Sequence, residues 1–109
     1  MRGEVWQVQF SPTKGRERDG SRPAMILSVD KFNKGSADLV IAIPITRTNR
    51  QIASHVSVLK GEGGLDSDGF IMVEAIRSIS NEGLLHYRGE LAYMTVEKVE
   101  NIIRVLLGV

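Results

Sequence analysis

The sequence contains no cysteine. That excludes a disulfide framework, a thiolate nucleophile and thiolate metal ligands. Histidine is almost as scarce: His55 and His86 are the only two, far apart and without a ligand-spaced partner. The sequence therefore predicts no metal site and no cofactor. No apolar run approaches the ~20 residues that cross a bilayer as a helix. The opening MRGEVWQVQF alternates and lacks the hydrophobic region of a signal peptide, so a cytoplasmic location is expected. Walker-type and GxGxxG loops are missing, and no serine sits in a GxSxG setting. The one glycine cluster, Gly61 to Gly64, precedes an apolar strand pattern rather than a helix and so lacks the context of a dinucleotide site. There is no internal repeat, linker or low-complexity segment.

What is present fits one domain of 109 residues. Hydrophobic residues make up 42% and charged residues 25%, enough for a single core with little to spare. Pairing with a second copy would help such a chain, so a homodimer is expected. The net charge of +1 hides a split. Residues 1–50 carry nine Lys/Arg against five Asp/Glu, whereas residues 51–109 carry five against eight. A basic half suits an anionic partner, although solvated surface charge gives the same composition.

Glu4 to Phe10 alternates, with Trp6, Val8 and Phe10 on one face, and reads as a half-buried antiparallel strand. A loop follows from Ser11 to Ser21. Pro23 belongs at the first residue of a strand, since it cannot donate to a ladder, and Ala24 to Val29 continues that strand as a buried run. Asp30 to Asp38 is a polar connection. Leu39 to Ile45 is too apolar for one wet face and reads as a central strand, with Pro44 marking a bulge or the end of pairing. His55 to Leu59 alternates, Lys60 to Asp68 is turn-rich, and Gly69 to Ile79 makes a strand bent near Glu74. Asn81 to Gly83 is a turn or one helical turn. The last element is a helix: Thr95 as N-cap, Val96, Val99, Ile102, Ile103 and Leu106 at helical spacing, and Gly108 as its stop. Short strands followed by one helix predict a mostly-β α+β fold, a small barrel with a helix packed across it.

The chemistry left by these exclusions is that of a cationic site with hydroxyls. Arg22 lies where the loop meets its strand, and Thr46 lies just past the central strand. Arg offers a planar, bidentate match to phosphate oxygens, and Thr a further hydrogen bond. Glu17 is the nearest loop carboxylate for a proton. If the substrate is RNA, its own 2′-hydroxyl supplies the nucleophile, and the protein needs none. Each residue also has a plain structural role open to it: Arg22 as an extended residue before proline, Thr46 as a backbone cap, Glu17 as charge balance between two arginines.

The N-terminal RGEVWQVQFSPTKGRERDGSRPAMILS resembles the signature of the MazF/PemK family of toxins, the sequence-specific mRNA interferases of bacterial toxin–antitoxin modules. Arg2, Gly3, Glu4, Trp6, Pro12, Thr13, Gly15, Glu17, Gly20, Arg22, Pro23 and Ser28 fall on the family pattern. Ala42 to Thr46 matches a second block, an apolar strand running into Pro-x-Thr, and Glu74 to Ile79 matches a third in part. The resemblance spans essentially the whole chain. It implies a strongly bent Src-homology-3-like barrel of five to seven antiparallel strands with a C-terminal helix, working as a homodimer. The implied activity is metal-independent cleavage of single-stranded RNA at a short sequence, giving a 2′,3′-cyclic phosphate and a 5′-hydroxyl. An acidic, partly disordered antitoxin is implied as partner. Carried over, the catalytic residues are Arg22, Thr46 and Glu17. The substrate-binding candidates are Lys14, Arg16, Arg18, Ser21, Arg47, Thr48, Arg50 and Arg77. Base recognition is expected from the segments Asp30 to Asp38 and Thr46 to Ser54.

Three positions depart from the pattern. Arg16 stands where the family has Ser or Thr, Arg18 where it has Gln, and Ala75 where it has Gln. The first two add positive charge and remove hydrogen-bonding groups. They keep open a binding-only variant with a degenerate site. A second alternative is a gyrase poison of the CcdB type on the same fold, but that class uses an aromatic near its C-terminus, and Leu106 to Val109 holds none.

Overall fold

A computed structural model describes residues 1–10 and 21–109. Among the described residues, seven strands and a C-terminal helix make up the fold. The strands are β1 (Glu4–Gln9), β2 (Ser21–Ile26), β3 (Leu39–Thr46), β4 (His55–Val58), β5 (Gly69–Met72), β6 (Arg77–Ser80) and β7 (Leu84–Glu90). A single helical turn, α1 (Asp30–Asn33), lies within the polar connection after β2, and α2 (Tyr93–Leu107) closes the chain. All pairings among the described residues are antiparallel, in the order β4-β5-β3-β2-β1-β7, with β6 also on β3. The sheet bends strongly but does not close on itself, since β4 and β7 remain its ends.

Both faces of this sheet are covered. On one side Val5, Met25, Ile43, Ile45, Ile71 and Val99 pack into the larger core cluster, with α2 laid over it. On the other, Val8, Ala24, Ile26, Val40, Ala42 and Ile79 form a second cluster flanked by Trp6, Phe10 and Leu84. Alternation along β1 therefore sends Val5 to one cluster and Val8 to the other, so β1 is buried on both faces rather than half-buried. Fully burying a Val or Ile is worth about 1.5–3 kcal/mol. The central strand β3 contributes to both clusters, as its unbroken apolar run implied.

The two strand prolines sit where the ladder tolerates them. Along one edge β3 pairs with β6 from Leu39 to Ala42 and with β5 from Ile45, so Pro44 falls in the changeover. Pro23 is the third residue of β2, not its first. At Pro23 β2 is paired with β1 alone, since its pairing with β3 begins at Ala24, and one side of the ladder asks nothing of the missing N–H.

The helix begins earlier than its sequence suggests. Ala92 is the N-cap, and Thr95 is a buried residue of the first turn. The capping carboxylate comes from Glu62, whose Oε2 accepts the Ala92 N–H at 3.0 Å and the Thr95 hydroxyl at 2.6 Å. An acceptor and an anion are both favourable at that end. Glu62 lies in a 3-10 turn (Glu62–Gly64) pressed against β7. Gly64 has φ +71°, and a Cβ there would lie 2.0 Å from the Arg88 carbonyl oxygen, so only glycine fits. At the other end Gly108 closes α2 at φ 73°, its N–H bonded to the Arg104 carbonyl.

Candidate active site

β2 and β3 carry the two residues of greatest chemical interest. Their register pairs Ala24 with Pro44 and Met25 with Ile43. Continued two residues, the same register sets Arg22 across from Thr46. Arg22 is exposed, lies opposite Val8 of β1, and is held extended by the proline that follows. Its side chain lines an open hollow of about 340 Å³ with Phe10, Pro44, Ala75 and Arg77. Arg77 enters from β6, where it is opposite Ala42, and its guanidinium lies 5.4 Å from the centre of the Phe10 ring. Such a contact fixes the guanidinium plane without consuming its donors. Among the described residues, neither Arg22 nor Arg77 has a carboxylate partner. Two exposed guanidinium groups lining one hollow, without a carboxylate partner among the described residues, form a candidate site for a bidentate anion such as phosphate. Ala75, one of the three departures from the family pattern, lines this same hollow.

Thr46 is half-buried at the end of β3. Its Oγ1 accepts the Thr48 N–H at 3.2 Å. This is the backbone-capping role the sequence allowed, yet an accepting hydroxyl keeps its own proton to donate. A second, smaller hollow holds Thr46 with Pro23, Arg47, Asp66 and Asp68. The two hollows adjoin in sequence, Arg22 beside Pro23 and Pro44 two residues from Thr46. Arg47, Thr48 and Arg50 are exposed in the segment after β3. Lys14, Arg16, Glu17 and Arg18 lie outside the described residues, so the loop half of the candidate site is not placed.

Ser21 is held from behind. Gln7 donates its amide N–H to the Ser21 hydroxyl at 2.7 Å, and the Gln7 carbonyl accepts from Arg88 at 2.8 Å. Arg88 also donates to the Gly64 carbonyl and pairs with Asp66 at 3.1 Å. A relay of polar side chains thus ties the start of β2 to β1, β7 and the turn before β5. Gln7, Arg88 and Phe10 belong to the neighbourhood of the site, and sequence reasoning missed all three. Arg88 lies in a stretch without apolar alternation, and the roles of Gln7 and Phe10 depend on which strands flank β1.

A carboxylate clasp lies behind the Ala75–Arg77 segment. Glu74 accepts the Ser54 hydroxyl at 2.5 Å and the His55 Nε2–H at 2.7 Å. Burial acts to raise its pKa, but the hydrogen bonds from Ser54 and His55 outweigh it and hold Glu74 below the ordinary value of 4.5. His55, nearly buried, thus has a structural partner. Among the described residues, no group of three or more His, Asp or Glu side chains gathers that could hold a metal ion. No helix among them is long and apolar enough to cross a membrane.

Comparison with known proteins agrees with this fold. Residues 1–107 match the family described as PemK-like, MazF-like toxin of type II toxin-antitoxin system. Endoribonuclease MazF of Staphylococcus saprophyticus is 33% identical over 108 residues, covering 98% of this chain and 90% of that protein. The crystal structure of MazF from Deinococcus radiodurans superposes with a TM-score of 0.80 at 25% identity, covering 98% of this chain and 94% of that one. A mycobacterial endoribonuclease, solved in complex with its cognate antitoxin, shares the fold at a TM-score of 0.81 and 24% identity, over 100% and 95% of the two chains. Seven antiparallel strands in a bent sheet, a C-terminal helix, and a sequence match from end to end leave one assignment: the chain belongs to the PemK-like, MazF-like family of type II toxin–antitoxin toxins.

Proposed function

We propose that this protein is the toxin of a toxin–antitoxin pair and acts as an endoribonuclease on single-stranded messenger RNA in the cytoplasm, the 109 residues working as one domain. One observation carries the reading: Arg22 and Arg77 share a hollow with no carboxylate partner among the described residues, and Thr46 lies two residues beyond Pro44, which lines the same hollow. The family match and the 33%-identical endoribonuclease support it.

In the proposed reaction the 2′-oxygen attacks the adjacent phosphorus and the bond to the 5′-oxygen breaks. The products are a 2′,3′-cyclic phosphate and a 5′-hydroxyl. The proton of the 2′-hydroxyl passes to a base, the role assigned to Glu17, and the leaving 5′-oxygen takes up a proton. Arg22 offers two parallel N–H donors to the phosphoryl oxygens as they gain charge, and Arg77 adds a second fixed cation. Thr46 donates its free hydroxyl proton to the same group. Lys14, Arg16, Arg18, Arg47 and Arg50 hold flanking phosphates, Ser21 and Thr48 add neutral hydrogen bonds, and recognition of a short sequence sets the cleavage points. The chemistry needs no metal. We further propose a homodimer, which joins two basic surfaces into a longer groove, and a cognate antitoxin that neutralises it with an acidic segment.

The test is cleavage of a long single-stranded RNA in the presence of EDTA, wild type beside Arg22→Ala and Thr46→Ala. Cleavage at a few defined sites, ending in cyclic phosphate and reduced about 10²–10³-fold in either variant, is the expected result. Intact RNA from folded wild type across a range of salt would overturn it.

A further inference from the structure

Beyond the Arg22 hollow lies a larger one, of about 350 Å³, that the reaction above does not use. The two are continuous: Phe10 and Arg77 line both. From their shared wall the larger hollow runs along β6 towards the turn before β7. Leu39 supplies an apolar patch beside Ile79, which is only 6% exposed, and Ser78, Ser80 and Glu82 also line the hollow. Ser78, Ser80 and Glu82 are all exposed. The Ser80 hydroxyl accepts the Glu82 N–H at 3.2 Å, which fixes the turn and keeps the hydroxyl proton available. Glu82 makes no ion pair among the described residues.

We propose that this hollow is the pocket for a nucleobase of the RNA next to the scissile phosphate, and that Glu82 with Ser78 and Ser80 reads its edge. The inference rests on the ribonuclease reading and adds where one base is chosen. Three physical features converge. An apolar surface beside a guanidinium plane and an aromatic ring is what a splayed-out base stacks upon. The volume holds a base with part of its ribose. Continuity through Arg77 means that a phosphate gripped by Arg22 and Arg77 leaves its neighbouring base over this hollow.

The polar edge predicts the class of base. A carboxylate only accepts hydrogen bonds, so Glu82 favours a base presenting an exocyclic amine, namely adenine, cytosine or guanine. Uracil, with carbonyl oxygens on either side of its ring N–H, leaves Glu82 facing an acceptor. This places base selection on β6 and the turn after it, away from the segments 30–38 and 46–54.

The experiment sequences all cleavage ends from one long RNA treated with wild type, Glu82→Gln, Glu82→Ala and the Ser78→Ala/Ser80→Ala double variant. It also measures binding of short oligonucleotides, 2′-deoxy at the cleaved position, that differ only in the base beside it. Wild type should disfavour uracil at one flanking position. Glu82→Gln, whose amide also donates, should relax that preference by about tenfold. Arg22→Ala should instead lose cleavage at every site. An unchanged cleavage pattern in all three pocket variants overturns the inference and leaves the ribonuclease reading standing. If wild type does not cleave, a uracil bias in binding that Glu82→Gln removes still supports the pocket, and equal binding of every oligonucleotide by wild type and variants overturns it.

Discussion

Arg22 has two neighbours that decide what its loss does: Val8 across the β1–β2 ladder and Arg77 across the hollow. The side chain is exposed and fills no core space. Arg22→Ala should therefore leave the circular dichroism spectrum and melting temperature unchanged while cleavage falls; an unfolded variant would make Arg22 structural. Arg22→Lys keeps the charge but loses the fork, so it should recover little of the rate. Glu74 makes a different prediction. Its folded pKa lies below the unfolded one, so its contribution to stability is present above about pH 4.5 and is lost as pH falls through the lower folded value. Its side chain is 41% exposed, so solvent screens the effect. Melting curves of wild type and Glu74→Gln should differ slightly at pH 7 and converge on acidification; a gap that widens in acid would refute the clasp. At this scale the sequence was informative where a residue type has few uses. Arg22, Thr46 and Arg77 were proposed from blocks of residues, whereas Phe10 and Glu82 enter the proposal only when β6 is laid on β3.

The element most at odds with its sequence is α2. Thr95 resembles an N-cap, being a β-branched hydroxyl residue followed by Glu97, yet the true N-cap is Ala92 and the acceptor is Glu62, thirty residues upstream. Local pattern cannot announce a cap that arrives through tertiary structure. Glu62→Ala strips acceptors from one N–H and one hydroxyl and removes an anion from the helix N-terminus. It should cost about 1–2 kcal/mol in urea denaturation. No measurable cost would mean that water replaces the carboxylate. Strand β7 went unread for a related reason. Leu84 to Glu90 is mostly exposed or half-exposed, and its ladder to β1 carries two register shifts, so no apolar period marks it. By contrast β3, buried on both faces, was plain from composition. Gly64→Ala tests how closely the 3-10 turn and β7 approach. The added Cβ meets backbone at 2.0 Å, so destabilisation should exceed about 2 kcal/mol.

For the whole molecule, the proposed binding of RNA rests on the uneven charge of the two halves. Three to four phosphate contacts on a single strand give a slope of about −2 to −3 in log affinity against log salt, or roughly 20- to 50-fold weaker binding between 50 and 200 mM. Fluorescence anisotropy with a non-cleavable oligonucleotide measures this, and a flat response would remove the basic groove from the account. The sequence anticipated the architecture because strands and helix had to bury what they buried. The bend of the sheet was less open to reading, since it arises where β3 changes partner from β6 to β5.

Gln9 and Ser21 face each other in the β1–β2 ladder, and the Gln7–Arg88 relay pins the second of them in place. Chain leaving β1 is thus handed back to β2 at a fixed doorway. What lies between, Lys14, Arg16, Glu17 and Arg18 included, is outside the described residues, and the pairing of Gln9 with Ser21 does not depend on its composition. Arg22, Thr46 and Arg77, by contrast, are part of the frame itself: β2, β3 and β6 carry them, and their positions follow from the fold.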